Sequence, residues 1–359
     1  MKIWAAALLL AAAASAQEPS SPSFTEFLDG VRTEALARGI RQEVIDAALA
    51  DVHEPVPTVI ERDRSQAETI LSLEKYLSRL LTATLIRNGR EAVAKHHVLI
   101  DEVSDRYGVP SAIIAGIWGV ESNFGRFSGV RPTVAALATL AWDPRRSAFF
   151  RRELMAALEI LNRGDIEPSR MRGSWAGAMG QVQFMPSSYL QFAEDFDNDG
   201  RRDIWSTPAD VFASIGNYLK GKGWIAGQPW GREVRVPAEA AARIAASVGR
   251  RAGTCQATRD MTVALPIAEW TDLGVTQVNG RALPDEATEA GLLSGATRRF
   301  LVYHNYDALL EYNCSHSYAI SVAELGRRVT SGASSSPSKA KPRSTASKRN
   351  PRPRVRATR

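Results

Sequence analysis

Residues 113–125, IIAGIWGVESNFG, are strongly apolar and carry a single carboxylate, Glu121, followed at once by small and polar residues. A run this apolar belongs inside a protein, so the chain must build a core around it. A carboxyl group held against Ile117, Trp118 and Val120 is poorly solvated, and burial favours its protonated form. A proton donor that survives near neutral pH suits general acid catalysis. The alternative from this segment alone is a helix-end glutamate facing water, as most glutamates do.

The surrounding pattern is overwhelmingly helical. Phe24, Phe27, Leu28, Val31, Ala35 and Leu36 recur at helical spacing over 23–38. A short helix is expected at 40–49, then a loop holding His53, Pro55 and Pro57. Longer helices are expected at 69–86 and 90–107, with Gly108 as a stop and a new start at Pro110-Ser111. A helix over 147–161, a Gly- and Ala-rich loop at 173–180 leading into a segment at 181–192, and a helix over 208–220 follow. The adjacent His96 and His97 do not share a helix face, which makes a poor metal site. After Gly221 the character changes. Short alternating runs at 233–237 and 261–265 read as strands around a helix at 238–248. An apolar strand after Gly291 and two helices, the last at 315–328, close the pattern. The expected organisation is a helical region at 17–222, a small mixed subdomain at 223–290 and a carboxyl-terminal part of the main domain at 291–330.

The first residues, MKIWAAALLLAAAASAQ, have the form of a secretory signal with cleavage after Ala16. The apolar run is too short for a mature membrane span. A soluble, exported protein is expected, with a bacterial periplasm favoured and full secretion left open. At the other end, residues 331–359 hold nine Lys or Arg and no acid, which turns the +6 of the whole chain into about −3 for the rest. The folded part is therefore no basic nucleic-acid binder. The tail is rich in Ser, Pro, Lys and Arg and is expected to be disordered. It suits either anionic envelope polymers and membrane surfaces or a purely solubilising role. Whether Cys255 and Cys314 pair is left open; neither lies in a redox or zinc spacing.

Asp195, Asp197 and Asp199 alternate and are followed by Gly200, the D-x-D-x-D-G opening of an EF-hand-like loop. Crowded carboxylates repel unless a cation neutralises them, and Gly200 permits the sharp turn. Arg201 would offer its backbone carbonyl. Ser206 stands where a glutamate usually closes the loop, so Asp210 is the replacement, and Asp203 is either a further ligand or a turn cap. A structural Ca²⁺ site is expected, with a solvated acidic turn as the alternative.

Four blocks resemble the lytic murein transglycosylase B family, glycoside hydrolase family 103. They are residues 116–125, GIWGVESNFG; 173–189, GSWAGAMGQVQFMPSSY; the acidic loop through Asp203-Ile204-Trp205 to Pro208-Ala209-Asp210; and Tyr312-Asn313-Cys314-Ser315 with Tyr318-Ala319. The likeness covers about 24–328. It implies a mainly α, lysozyme-like (α+β) catalytic core with a small mixed α/β inserted subdomain. It implies a bound Ca²⁺ and peptidoglycan glycan strands as the substrate. It implies Glu121 as the one catalytic group, acid first and base second. Ser174, Met179, Gln183, Phe184, Tyr218, Tyr312, Asn313 and Tyr318 fall at its substrate-binding positions. The basic tail is outside the family pattern. A hydrolytic muramidase on the same scaffold and a non-catalytic peptidoglycan-binding protein are the rivals.

Overall fold

The computed structural model describes residues 22–65, 71–285 and 288–331. The expected signal sequence and, apart from Ser331, the basic tail lie outside these residues. Ser23 opens the first helix, Phe24–Ala37, through a reciprocal capping box with Glu26. Gln42–Leu49 follows. A third helix, Pro57–Arg64, stands where a loop is expected; Pro57 occupies its first turn, where a missing N–H costs nothing. The two longer helices are divided differently from expectation. The first is Leu73–Leu80, and the second runs unbroken from Ala83 to Tyr107. The cause is Thr82, whose side chain accepts a hydrogen bond from the Leu85 amide and starts a new helix.

Ser111–Ser122 lies at the centre, buried nearly all round, against Ala83–Tyr107 and Pro208–Gly221, while Thr133–Trp142 and Ser147–Arg163 pack on each other. The last helix, His316–Thr330, packs directly on it. Two glycines permit that approach. A Cβ on Gly116 would collide with the Val322 carbonyl, and one on Gly326 would collide with the Ala112 carbonyl. Backbone therefore meets backbone, and the register of the two helices is fixed. Of the segment 181–192, only Pro186–Phe192 is helical. The residues before it form a folded loop in which Met179 bridges to both Gly173 and Phe184. Pro208–Gly221 and Asn305–Tyr312 complete the helical part.

The subdomain is a five-stranded antiparallel sheet in the order Leu265–Pro266, Glu289–Ser294, Arg299–Val302, Gly231–Arg235, Thr276–Gln277. The expected run at 261–265 is mostly irregular; Thr262 makes only an isolated bridge to Arg250. Two strands lie beyond the expected boundary at 290, so the sheet extends to Val302. The reason is alternation across its faces. Leu292 and Leu301 enter a small core with Ile267, Trp270 and Val275, while Leu293 and Phe300 enter the main core. Cys255 and Cys314 are joined by a disulfide with Cα atoms 5.9 Å apart. Arg251 adds a two-pronged ion pair to Asp307, both bonds 2.7 Å. These links fasten the subdomain to the turn that opens the last helix.

Candidate active site

Glu121 sits in the last turn of the central helix, which ends abruptly. Asn123, Phe124 and Gly125 all take left-handed backbone conformations. The Ser122 hydroxyl donates to the Trp118 carbonyl at 2.8 Å and accepts from the Gly125 amide at 3.0 Å. Phe124 folds back onto faces left open by Gly89 and Gly119, where any Cβ would meet its ring. The turn leaves Glu121 half-buried and directed toward open space. Two cavities meet there. One, of about 390 Å³, runs past Arg79, Thr84 and Asn88; the other, of about 300 Å³, runs past Arg62, Arg131, Ser174, Trp175 and Gln183. They share Glu121 and Phe127, and among the described residues Glu121 is the sole carboxylate lining either. Together they form the two arms of a groove.

Burial pushes the Glu121 pKa up to about 7, partly offset by a hydrogen bond from Tyr318. The partial negative charge of the helix carboxyl end acts in the same direction as burial. The Tyr318 hydroxyl donates to Oε1 at 2.7 Å, which leaves Oε2 to carry the acid proton. Tyr318 is placed by the close helix contact and by Ser315, whose side chain caps its helix. Its ring stacks on Tyr312 at 6.1 Å, and Tyr312 in turn meets Tyr218 at 4.7 Å and Phe184 at 5.8 Å. The hydroxyls are committed: Tyr312 donates to the Val182 carbonyl at 2.8 Å and Tyr218 to the Glu311 carbonyl at 2.7 Å.

This cluster corrects part of the expected groove. Met179, Phe184 and Tyr218 are 0, 2 and 6 % exposed, so they have almost no face free for a sugar; Phe184 and Tyr218 pack behind Tyr312. Ser174 and Gln183 do line the groove. The Ser174 hydroxyl accepts from the Ala176 and Ala178 amides, and Gln183, itself left-handed, donates to the Gly180 carbonyl at 2.9 Å. Asn313 is exposed at the turn before the last helix.

Gln181 was missed by sequence reasoning, which took its neighbour Gln183. Its buried Oε1 accepts from Trp118 Nε1 at 2.8 Å, its Nε2 donates to the Trp205 carbonyl at 2.9 Å, and its backbone amide donates to Ile204 at 2.8 Å. It joins the helix bearing Glu121 to the exit of the acidic loop. The buried amide in a block of small residues was the available signal. Arg62, Arg131 and Phe127 were also missed, because they lie outside the motif blocks or at their edges.

In the acidic loop, Asp195, Asp197 and Asp210 place one oxygen each within 4.8 Å of one another. That spacing suits oxygens on opposite sides of a Ca²⁺ held at about 2.4 Å. Asp210 is fully buried; its burial, with the carboxylates of Asp197 and Asp195, pushes its pKa up to about 6. A cation would relieve that crowding, so the donor set fits. Asp199 and Asp203 are not in the cluster. The Asp199 side chain accepts from the Arg201 amide, and Asp203 caps the turn by accepting from the Trp205 and Ser206 amides.

A further cavity, about 590 Å³, lies away from Glu121 between the amino end of the central helix and the end of the last. Its carboxylates are occupied, Asp101 by the Ser111 hydroxyl and Glu324 by Arg298, Arg327 and Arg328. The groove is where an acid is free to act.

The family model described as Transglycosylase SLT domain matches residues 23–327. The chain belongs to the lytic murein transglycosylase B family. Membrane-bound lytic murein transglycosylase B of Escherichia coli (strain K12) is 32% identical over 257 residues, 71% of this chain and 66% of that protein. This transglycosylase thus spans just under two thirds of the curated relative it matches. A crystal structure of SltB3 from Pseudomonas aeruginosa in complex with NAG-anhNAM-pentapeptide superposes with a TM-score of 0.77 at 43% identity, covering 86% of this chain and 80% of that one. The Escherichia coli lytic transglycosylase Slt35 in complex with calcium gives 0.70 at 27% identity, covering 88% and 94%. The mainly helical core with its inserted β region is the lysozyme-like fold of these proteins. Among the described residues, no helix is long and apolar enough to cross a membrane.

Proposed function

We propose that this enzyme cleaves the β-1,4 bond from N-acetylmuramic acid to N-acetylglucosamine in peptidoglycan and leaves a 1,6-anhydromuramoyl end. The observation that carries the reading is one half-buried acid, its pKa pushed up to about 7, as the only carboxylate among the described residues that line a two-armed groove. Glycosidases that use two carboxylates need a second one across the bond. With one, the charge developing at C1 is taken up by the substrate's own acetamido oxygen. Glu121 gives its proton to the leaving glycosidic oxygen as the C1–O bond breaks. The resulting carboxylate, steadied by the Tyr318 hydroxyl, takes the proton of the C6 hydroxyl as O6 bonds to C1. The acid is restored, and no water is consumed.

Ser174 and Gln183, which line one arm, hold the sugar. Arg62, Arg131 and Arg79 bring positive charge to a groove whose substrate carries peptide carboxylates. The acidic loop holds Ca²⁺ through Asp195, Asp197 and Asp210 with the Arg201 carbonyl; bound there, the ion supplies counter-charge, and the chemistry is left to Glu121. The enzyme works in the periplasm. Digestion of purified sacculi tests the reading. Products lighter by one water than the hydrolytic ones, and absent with Glu121→Gln, are expected; reducing ends would make it a muramidase, and an active Glu121→Gln would remove Glu121 from the chemistry.

A further inference from the structure

Phe127 is 62 % exposed, and Val130 in the same loop is 77 % exposed. Yet this loop is pinned at both ends. The Phe127 amide donates to the Ser122 carbonyl at 2.9 Å, and Arg172 donates to the Val130 carbonyl at 2.7 Å. Gly129, left-handed, lies so close to the Gly173 backbone that a Cβ would collide with it. A rigid loop that holds an aromatic ring in water forgoes its burial, which calls for another use of the surface. Its position supplies one. Phe127 and Glu121 are the two residues common to both arms of the groove, and half-buried Trp175 adds a second aromatic surface in one arm.

We propose that Phe127 is a saccharide-stacking platform that carries the glycan strand across Glu121, with sugars seated in both arms. A pyranose ring has an apolar C–H face and polar edges. A flat ring meets the face, while Ser174 and Gln183 on one side and Thr84 and Asn88 on the other reach the edges. The occupant follows from the reading of the groove as a peptidoglycan site; the contact itself requires only a β-1,4-linked N-acetylhexosamine chain.

Binding of a soluble N-acetylglucosamine tetramer to the inactive Glu121→Gln protein, measured by calorimetry, tests the proposal. Adding Phe127→Ala to that background is expected to weaken binding about ten-fold, equivalent to about 1.4 kcal/mol. Phe127→Trp should retain it, and Phe127→Leu should resemble alanine. In the active enzyme Phe127→Ala should lower kcat/KM on sacculi by a similar factor without moving its pH dependence. Because the side chain is exposed, the melting temperature should not change. The proposal is overturned if the alanine variant binds like its parent, if leucine replaces phenylalanine fully, or if the parent binds no tetramer. A wild type that yields reducing ends would instead overturn the reaction assignment and leave the binding result standing.

Discussion

Glu121 keeps its proton because burial has taken water from its carboxyl, while the Tyr318 hydroxyl returns part of that shift. Activity that needs the protonated form should fall as pH rises through about 7. Tyr318→Phe removes a bond that favours the carboxylate, so the same limb should move to higher pH as the maximal rate drops; a pH profile of kcat/KM checks both. Stability carries the opposite face of the same shift. The folded state holds this proton up to about 7, whereas an unfolded glutamate releases it near 4.5. In that window the folded protein binds more protons, so the contribution is fully present below it and is lost as pH rises through it. Glu121→Gln has no such proton, and its melting temperature relative to wild type should climb between pH 4.5 and 7.

The element that matters most is the pair formed by the central helix and the last one. Gly116→Ala places a methyl group against the Val322 carbonyl, and overpacking of this kind costs about 1–3 kcal/mol. Denaturant titration should show it, together with lost activity as Tyr318 is pushed away from Glu121. Gln181→Met leaves Trp118 Nε1 and the Trp205 carbonyl buried without a partner, at about 1–3 kcal/mol. The rate should fall through kcat more than KM, because the helix end that aims Glu121 is loosened. Much of this scale could be read from residues. The apolar block with its lone acid, the start at Ser111 and the glycines at helix ends marked the central helix. The break at Thr82 escaped because its capping hydroxyl interrupts an otherwise continuous helical period. The helix Pro57–Arg64 escaped because Pro55 and Pro57 read as a loop. Whether a large side chain in a motif faces sugar or core depends on tertiary neighbours, and these bury Met179, Phe184 and Tyr218.

At the scale of the molecule, the main core and the sheet subdomain are fastened at the active-site turn. The disulfide spans 59 residues, and closing a loop of that length removes about 4 kcal/mol of unfolded-state entropy in the chain-entropy account. A Cys255→Ser, Cys314→Ser double variant should melt lower and lose activity through the turn at Asn313. The acidic loop makes a second test. Calcium at one hundred times its Kd should stabilise the fold by about 2.7 kcal/mol, and chelation should lower the melting temperature; Asp210→Asn should blunt both effects. The D-x-D-x-D-G pattern was plain in the sequence, but which aspartates converge was not, since the fold brings in Asp210 from the next helix and leaves Asp199 and Asp203 outside the cluster. The sheet continues past 290 into Glu289–Ser294 and Arg299–Val302, strands that feed two cores and so show an apolar run in place of clean alternation.

Catalysis rests on one protonated carboxyl, the only one that lines the groove among the described residues. The carbon-13 shift of the Glu121 carboxyl, assigned by its loss in Glu121→Gln and followed across pH in the ligand-free enzyme, reads that proton directly. A midpoint near 7 is the predicted result; a midpoint in the ordinary glutamate range, about 4.3, would contradict it.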